Sequence, residues 1–400
     1  MTPPGAMLGV LGGGQLARMF AFAAHRLGYR VTALDPSRDC AAAGAVDRLI
    51  CAPLDDRAAW LEMARSCSAV TIETENVPAA ALRFIGEHVP VAPDAFALEV
   101  SQHRLREKNF LSKSGVPVAP YADIASKKAA SMQYPDLVPG ILKTSRHGYD
   151  GKGQWRIGAA HELLPAFASL GDVACVLEAR LPLAAELSVI LARDDRGRIA
   201  LFPVPMNTHR DGVLDISVAP APLPLAAIRA ARKYAQRIAH ALNYRGVLCV
   251  EFFLLQNGNL IVNEIAPRPH NSGHFTIEAC QTSQFEQQVR VLAGMPLGST
   301  RQTRPAAMVN LLGELWQHGD MHWPAVLQEP GTHLHLYGKS VPRPGRKMGH
   351  ITCLGPSAPL AAERLVALRA ELPAITRQDL PAKSPINRIP QDHFAPNVHL

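Results

Sequence analysis

The chain has 400 residues, of which 48% are hydrophobic and 19% charged, so it can bury more than one core and lacks the composition of a disordered protein. Its 41 Lys and Arg exceed its 34 Asp and Glu, which gives a net charge of +7, but the basic residues are dispersed. This argues against nucleic-acid binding and favours small anionic ligands. The seven cysteines contain no C-x-x-C pair, and the first apolar stretch is too short to span a membrane, so we expect a reduced, cytoplasmic protein.

The first hundred residues predict a parallel α/β unit. An apolar run at 7–12 precedes a glycine-rich turn and an amphipathic helix, and further strands are predicted at 30–34, 69–72 and 88–92. The turn Gly12–Ala17 satisfies G-x-G-x-x-A, with Asp35 at the end of the second strand. It could bind a dinucleotide, hold the phosphate of another ligand at the helix N-terminus, or serve only as a turn. The sequence leaves these three alternatives open.

The middle of the chain predicts a small α+β module followed by longer strands. A basic amphipathic helix is predicted at 102–114, strands at 140–144, 154–157 and 173–178, and a helix near 160–170. The segments 186–205 and 246–265 are rich in strand-forming residues and flank a helix at 224–242. A last helix is predicted at 359–371.

A second glycine-rich segment, Gly148–Gln154 (GYDGKGQ), lies between two predicted strands, with Lys143 shortly before it. It is not a Walker loop, because it lacks the Lys-Ser/Thr ending and the following helix. A glycine-rich hairpin can nevertheless cover a triphosphate and offer it N–H groups and a lysine charge. The alternative is a flexible surface hairpin.

Two carboxylates are predicted to face each other on the hairpin 250–265. A two-residue turn at Asn257-Gly258 would pair the strands so that Glu251 lies opposite Glu264, with Cβ atoms about 5 Å apart. At an effective dielectric constant of about 20, charges about 4 Å apart repel by roughly 4 kcal/mol, so such a pair requires a cation. Two carboxylates supplemented by phosphates and water are typical of Mg²⁺ bound with a nucleotide. The alternative is a solvated pair that splays apart at the surface.

Four segments, GGGQLARM, GYDGKGQ, VNEIAPRPHNSGH and YGKSVPRPGRKMGH, occur in this order along nearly the whole chain. Together they make it resemble the ATP-grasp superfamily and, within it, the family of N5-carboxyaminoimidazole ribonucleotide synthetases. The resemblance implies a mixed α/β and α+β fold. Its implied parts are an N-terminal Rossmann-like (preATP-grasp) domain at 1–101, an ATP-grasp domain at 102–300 with a lid at about 120–184, and a small C-terminal domain at 301–400.

By the same resemblance, the expected activity is a ligase reaction of de novo purine biosynthesis. ATP and bicarbonate would carboxylate the amine of 5-aminoimidazole ribonucleotide through carboxyphosphate, with release of ADP and phosphate. The expected cofactors are ATP and Mg²⁺, the expected partners are these small molecules without nucleic acid or membrane, and a homodimer is expected.

The resemblance also implies a role for individual residues. The ATP-binding residues would be Arg104, Lys143, Gly148, Tyr149, Asp150, Gly151, Lys152, Gly153, Gln154, Glu178, Ala179, Arg180, Leu181, Glu186, His209, Asn263 and Glu264. The metal ligands would be Glu251 and Glu264, in agreement with the register argument. The catalytic residues would be Tyr149, Asp150, Arg268 and His270, with the proton acceptor left open between Asp150 and His270. The substrate-binding residues would be Gln15, Leu16, Asn76, Asn271, Ser272, Lys339, Arg346 and Lys347.

Three basic residues support a phosphate site independently, because Lys339, Arg346 and Lys347 lie within nine residues of one another and Arg can bind a phosphate through two hydrogen bonds. The alternative is an exposed charged loop. Three other functions compete with the expected one: a formate-dependent glycinamide ribonucleotide transformylase, a nicotinamide oxidoreductase built on Gly12–Asp35, and a non-catalytic nucleotide sensor. The last two do not account for the carboxylate pair.

Overall fold

The computed structural model describes residues 1–146, 148, 153–318 and 321–372, which form three β-sheets with helices packed on them. The strands, in chain order, are β1 Met7–Leu11, β2 Arg30–Asp35, β3 Arg48–Cys51, β4 Ala69–Ile72, β5 Tyr121–Ile124, β6 Gly140–Thr144, β7 Gln154–Ile157, β8 Cys175–Ala179, β9 Leu183–Arg193, β10 Ile199–Leu201, β11 Met206–Arg210, β12 Val213–Ala219, β13 Gly246–Leu255, β14 Leu260–Ala266, β15 Ala306–Leu312, β16 Thr332–Leu336 and β17 Lys347–Leu354. The α-helices are α1 Gln15–Arg26, α2 Arg57–Ser66, α3 Ala79–Gly86, α4 Ala95–Ser101, α5 Arg104–Lys113, α6 Lys127–Ala130, α7 Leu163–Ser169, α8 Leu225–Ala241, α9 Thr276–Ala279, α10 Gln284–Leu292, α11 Trp323–Leu327 and α12 Ala358–Glu371.

The first sheet confirms the predicted parallel α/β unit. Its strands lie in the order β3-β2-β1-β4, and every pair is parallel. The predicted strand at 88–92 is wrong: only one bridge forms there, between Val70 and Val91. Pro90 has no N–H to donate to a ladder, although its carbonyl accepts the N–H of Val70 at 2.9 Å. The strand β3 was not predicted.

The second sheet is small and antiparallel, with the order β5-β8-β6-β7, and it contains the strands predicted around the second glycine-rich segment. In the pairing of β6 with β8, Lys143 lies opposite Val176 and Ile141 lies opposite Glu178. Lys143 and Glu178 are therefore diagonal neighbours on one face of the sheet, which is within reach of a long side chain.

The third sheet is the largest and carries the candidate site. Its strands follow the order β14-β13-β9-β11-β12-β15-β17-β16, with β10 paired to β9. Helix α8 packs on one face, where its alanines meet Leu187, Val189 and Leu191 of β9. Strands β15 to β17 continue this sheet through the pairing of β12 with β15. No helix in the described part of the chain is long and apolar enough to cross a membrane.

The hairpin of β13 and β14 differs from the predicted one at its turn. The Leu255 N–H donates to the Asn259 carbonyl, which leaves a three-residue loop with Gly258 at φ +82° instead of the predicted two-residue turn. The pairing near the loop is therefore shifted by one residue, with Phe252 opposite Val262. A bulge in β14, where Asn263 and Glu264 together face Glu251, restores the predicted register, because Val250 lies opposite Ile265.

A cluster of histidines lies where β16 and β17 meet the segment before α9. The rings of His335 and His350 stack with centroids 4.4 Å apart, and the His274 ring is 4.7 Å from that of His350. The Tyr337 hydroxyl is 2.8 Å from His350 Nδ1, and Glu278 Oε1 is 2.6 Å from His335 Nε2. Burial, followed by the charges of neighbouring histidines, lowers the pKa of both His274 and His350 well below 6.5.

This cluster predicts that stability decreases in mild acid. Below about pH 6.5 the unfolded chain takes up protons on these histidines while the folded protein does not, so the free energy of unfolding falls as the pH is lowered. The loss is at most about 1.4 kcal/mol per histidine per pH unit, and above about pH 6.5 these groups contribute no pH dependence. Urea unfolding between about pH 7.5 and 5.5 measures the effect.

The variant His350→Gln should show a shallower dependence on pH than the wild type, because one of the two buried histidines is gone. The matched control is His161→Gln, at an exposed position, which should retain the wild-type slope. Equal slopes for all three proteins would contradict the interpretation.

Candidate active site

The first turn of α5 lies against β14, and their side chains form one wall of the candidate site. Arg104 Nη1 donates to Glu264 Oε2 at 3.1 Å, and Nη2 donates to the Gly148 carbonyl, also at 3.1 Å. One turn later, Glu107 Oε1 accepts the N–H of Ile265 at 2.7 Å. Burial and the charge of Glu264 raise the pKa of Glu107 to about 8. Arg104 thus joins Gly148 and Glu264, which were predicted for the ATP site from distant segments.

Two buried lysines share one carboxylate beside this wall. Lys143 on β6 and Lys108 on α5 each place Nζ 3.1 Å from Glu178 Oε2, and the three side chains are at most 8% exposed. Burial alone would raise the pKa of Glu178, but the charges of Lys143 and Lys108 lower it to about 2, so the carboxylate is ionised. Lys108 Nζ also donates to the Asn263 carbonyl at 3.0 Å.

Sequence reasoning missed Lys108. The available signal was its spacing, since Arg104, Lys108 and the buried Leu111 lie three or four residues apart and therefore on one face of the helix. Charges on the face that a helix buries indicate a site rather than a solvated surface.

We expect Lys108→Met to lower stability and to weaken ATP binding more than tenfold. The substitution keeps much of the apolar stem but leaves Glu178 with only Lys143, so the folded state should lose roughly 1–3 kcal/mol. Urea unfolding and titration with ATP measure the two effects. Lys113→Met, at the exposed end of the same helix, is the control and should change neither. An unaltered ATP affinity in Lys108→Met would separate Lys108 from the nucleotide site.

Three carboxylates and a histidine on the third, largest sheet form an acidic group: Glu186, His209, Glu251 and Glu264. Burial, then the charges of Glu264 and Glu186, raise the pKa of Glu251 to about 7, although His209 opposes the shift. His209 Nδ1 lies 2.9 Å from Glu186 Oε2. Burial pushes the pKa of His209 down, but the hydrogen bond and charge of Glu186, together with the charges of Glu251 and Glu264, raise it overall. These residues, predicted on separate grounds, therefore form one electrostatic group.

The acidic group fits a divalent cation bound together with a nucleotide. Glu251 is a buried carboxylate surrounded by like charge, so its ionised form would gain from a cation. Among the described residues, no three or more His, Cys, Asp or Glu side chains are arranged to hold a metal ion. Mg²⁺ bound with a nucleotide needs only one or two carboxylates, because phosphates and water complete its shell. Glu251 and Glu264 are the residues that would hold it.

Two further predicted residues, Arg268 and His270, interact with Glu251. His270 Nε2 lies 3.1 Å from Glu251 Oε1, and burial lowers the pKa of His270 well below its usual 6.5. Arg268 Nε donates to Glu75 Oε2 at 2.9 Å. His270 thus contacts the acidic group, and the charge of Arg268 also acts on Glu251, while the catalytic roles of both residues stay predictions.

The next two predicted residues point into the protein. Asn271 exchanges two amide hydrogen bonds with Asn310, at 3.0 and 2.6 Å, and is nearly buried. Ser272 is fully buried, with its Oγ 2.8 Å from His270 Nδ1. Their role in substrate binding stays a prediction.

The glycine-rich turn before α1 is occupied by a carboxylate of the protein itself. A Cβ added at Gly14 would lie 2.6 Å from the Glu73 oxygens, and one at Gly12 would lie 2.6 Å from Glu73 Cγ. Burial raises the pKa of Glu73, and hydrogen bonds from the backbone of Gly14 and Ala17 partly offset the rise. Asp35 Oδ2 accepts the Gly13 N–H at 2.7 Å. Glu73 and Asp35 both accept hydrogen bonds from the backbone of the turn, which favours the alternative that this motif is only a turn.

Glu73 and Glu75 were not predicted, although the sequence carries a signal for them. They follow β4 at its carboxyl end, the edge of a parallel sheet where ligand sites form. Asn76, which was predicted, lies in the same segment and is exposed.

The predicted basic segment, with Lys339, Arg346 and Lys347, lies close to His270 and to α1. Lys339 Nζ donates to the Lys347 carbonyl at 2.7 Å, and Arg346 Nη1 donates to the Val341 carbonyl at 2.5 Å. The charge of Lys347 contributes to the lowered pKa of His270. Tyr337, just before Lys339, packs in one core cluster with Leu16 and Ala17 of α1. Gln15 begins that helix.

The remaining predicted residues have varied surroundings. The backbone N–H groups of Ala179 and Arg180 donate to the Pro120 and Pro139 carbonyls, both at 2.9 Å, and Leu181 follows them. Gly153 has φ +68° and directly precedes Gln154, the first residue of β7. Four predicted residues lie outside the described part of the chain: Tyr149, Asp150, Gly151 and Lys152.

Three family models match the chain in sequence. Residues 6–102 match the ribonucleotide synthetase preATP-grasp domain, residues 109–285 the ATP-grasp domain, and residues 306–364 the phosphoribosylaminoimidazole carboxylase C-terminal domain. The first description names a ribonucleotide synthetase and the third a phosphoribosylaminoimidazole carboxylase.

Individual proteins are similar over nearly the whole chain. The N5-carboxyaminoimidazole ribonucleotide synthase of Brucella melitensis is 44% identical over 356 residues, which is 88% of this chain and 97% of that protein. The crystal structure of the synthetase from Thermus thermophilus superposes with a TM-score of 0.84 at 40% identity, covering 94% and 100% of the two chains. The Aspergillus clavatus synthase, in complex with ADP and 5-aminoimidazole ribonucleotide, has a TM-score of 0.84 at 30% identity, covering 92% and 99%.

Proposed function

The chain belongs to the N5-carboxyaminoimidazole ribonucleotide synthase family of ATP-grasp ligases, and from this premise we propose that it carboxylates 5-aminoimidazole ribonucleotide with ATP and bicarbonate. The products are N5-carboxyaminoimidazole ribonucleotide, ADP and phosphate, in de novo purine biosynthesis. The observation that carries the proposal is the 3.1 Å contact of His270 with Glu251. This contact joins the acidic group around Glu251, which suits a nucleotide with its cation, to Arg268 and His270, which suit a phosphorylated acceptor.

In the proposed first step, a bicarbonate oxygen attacks the γ-phosphorus of ATP. The bond from that phosphorus to the β–γ bridging oxygen breaks, so ADP leaves and carboxyphosphate forms. Arg104 and Lys143 are the side chains whose positive charge can offset the charge on the phosphate oxygens. Mg²⁺, held by Glu251 and Glu264, would supply further neutralisation of the phosphates.

In the proposed second step, carboxyphosphate loses phosphate and releases CO₂ next to the acceptor amine. The amine nitrogen attacks the carbon, and the amine proton leaves to a base. Holding CO₂ beside the amine replaces the high concentration that free CO₂ would need. Arg268, His270 and the basic residues Lys339, Arg346 and Lys347 are the groups available to orient the acceptor and its phosphate.

A formate-dependent transformylase remains the competing function within the superfamily. Release of ADP, measured with bicarbonate in the presence and absence of 5-aminoimidazole ribonucleotide, distinguishes the two when it is repeated with formate and glycinamide ribonucleotide. We expect ADP release to depend on the imidazole ribonucleotide and bicarbonate. Release that depends instead on formate and glycinamide ribonucleotide would overturn the proposal.

The proposed assembly is a homodimer, as the resemblance implies. Sedimentation at micromolar concentration should give one species of twice the mass of the 43.2 kDa chain. A single species of 43.2 kDa would contradict it.

A further inference from the structure

A chain of buried polar side chains crosses the third, largest sheet and ends at His270. Ser217 on β12 donates its hydroxyl to Asn207 Oδ1 on β11 at 2.8 Å, and Asn207 Nδ2 donates to Ser188 Oγ on β9 at 3.0 Å. Ser188 Oγ lies 2.7 Å from Ser272 Oγ, which lies 2.8 Å from His270 Nδ1. We call these five residues the polar chain.

The register of the largest sheet places the polar chain on the same face as Glu251. Ser217 lies opposite Asn207, and Ser188 lies opposite Glu251 in the pairing of β9 with β13. Residues opposite each other on neighbouring strands share a face, so the chain and Glu251 lie on the same side of the sheet. Ser188, Ser217 and Ser272 are fully buried. Buried hydroxyl groups are costly unless they are hydrogen-bonded, and here each one is.

The hydrogen-bond donors fix the direction of the whole chain. The backbone N–H of Ser272 donates to His270 Nδ1 at 3.3 Å, and an N–H group can only donate. Nδ1 is therefore an acceptor, which excludes both the Nδ1–H tautomer and the imidazolium form. The ring hydrogen is on Nε2, the atom 3.1 Å from Glu251 Oε1.

The other members then have only one arrangement. The Ser272 hydroxyl must donate to Nδ1, so the Ser188 hydroxyl donates to Ser272, and the Asn207 amide donates to Ser188. Every hydrogen bond in the polar chain is therefore donated toward His270. The ring is held at Nδ1 by Ser272 and at Nε2 by Glu251.

We propose that Ser188 and Asn207 are positioning residues which, through Ser272, hold the His270 ring with its Nε2–H directed at the Glu251 carboxylate. The inference rests on the proposed function, because it assigns His270 its place between the nucleotide and the acceptor. Neither residue touches a reactant in this role, so removing them should change the rate of turnover rather than nucleotide binding.

Two measurements on Ser188→Ala test the inference. The first is the ¹⁵N NMR spectrum of the histidine ring nitrogens, with the His270 signals assigned by their absence in His270→Gln. Wild-type His270 should show a protonated Nε2 and an unprotonated Nδ1, and the variant should show an altered Nδ1 shift. The second is steady-state kinetics, in which kcat should fall about five- to thirtyfold while KM for ATP stays within about twofold.

The matched control is Thr352→Val, which removes a fully buried hydroxyl from the same sheet that makes no hydrogen bond within the described residues. It should leave both the His270 shifts and kcat unchanged. If Ser188→Ala does not fold, Asn207→Ala and the wild-type spectrum provide the same test.

A protonated Nδ1 in the wild type, or a Ser188→Ala variant with wild-type kcat and shifts, would overturn the inference. Failure of the proposed function is distinguishable, because a protein that does not carboxylate the imidazole ribonucleotide would still report the tautomer of His270 by NMR.

Discussion

Glu264→Gln should lower ATP-dependent turnover by at least about a hundredfold, equivalent to roughly 2.7 kcal/mol of transition-state stabilisation. The substitution removes one of the two carboxylates that would hold Mg²⁺ on the nucleotide. It also deprives Arg104, which we propose to bind phosphate, of its charged partner at 3.1 Å, so this side chain should lose its orientation. Steady-state release of ADP at saturating substrates measures the effect.

The fold should survive this substitution. Removing the charge of Glu264 relieves Glu251, whose pKa it raises, but also ends the contact with Arg104, so two opposing effects leave stability without nucleotide little changed. Glu62→Gln, which removes an exposed carboxylate paired with Arg48, is the control and should keep wild-type turnover. A Glu264→Gln enzyme that retains more than about a tenth of the wild-type rate would refute the metal assignment.

Arg346→Ala or Lys347→Ala should raise KM for 5-aminoimidazole ribonucleotide about ten- to more than a hundredfold. Each would remove the charged hydrogen bond that we propose to the ribonucleotide phosphate, worth roughly 1.5–3 kcal/mol. KM for ATP should stay within about threefold, because the contacts of Arg104, Lys143 and Glu178 are untouched. Initial rates with each substrate varied in turn give both constants.

Arg343→Ala is the matched control in the same segment, at an exposed position, and should change either constant by less than about threefold. If the constants for ATP and acceptor rise together in the Arg346 or Lys347 variants, or if neither moves, the basic segment is not the site of the acceptor phosphate.

Local sequence rules predicted the acidic centre of the site well. Glu251 and Glu264 were placed together from a glycine turn and alternating residues, and the structure keeps them in one electrostatic group. The bulge in β14 opposite Glu251 was not predictable, because it depends on how β13 pairs with β9 and β14 at the same time. The predicted register therefore holds from Val250 and Ile265 onward, is interrupted by the bulge at the carboxylates, and is wrong by one residue at the turn.

Residues brought in by long-range packing were missed. Lys108 enters the site because α5 packs against β14, and Ser188 and Asn207 belong to it because three strands align their polar residues. Glu73 meets Gly14 only through the parallel pairing of β1 with β4. Local patterns could mark Lys108 as inward-facing and Glu73 as lying at a sheet edge, but they could not identify the partners, because each contact links segments whose proximity is set by the complete fold.

The fate of labelled bicarbonate shows whether the enzyme carboxylates 5-aminoimidazole ribonucleotide. The enzyme is incubated with ATP, Mg²⁺, 5-aminoimidazole ribonucleotide and radiolabelled bicarbonate, and both ADP and label in the ribonucleotide are quantified. We expect about one acid-labile carboxyl group to be transferred for each ADP formed, and none when ATP is omitted. Formation of ADP without label in the ribonucleotide would contradict this expectation.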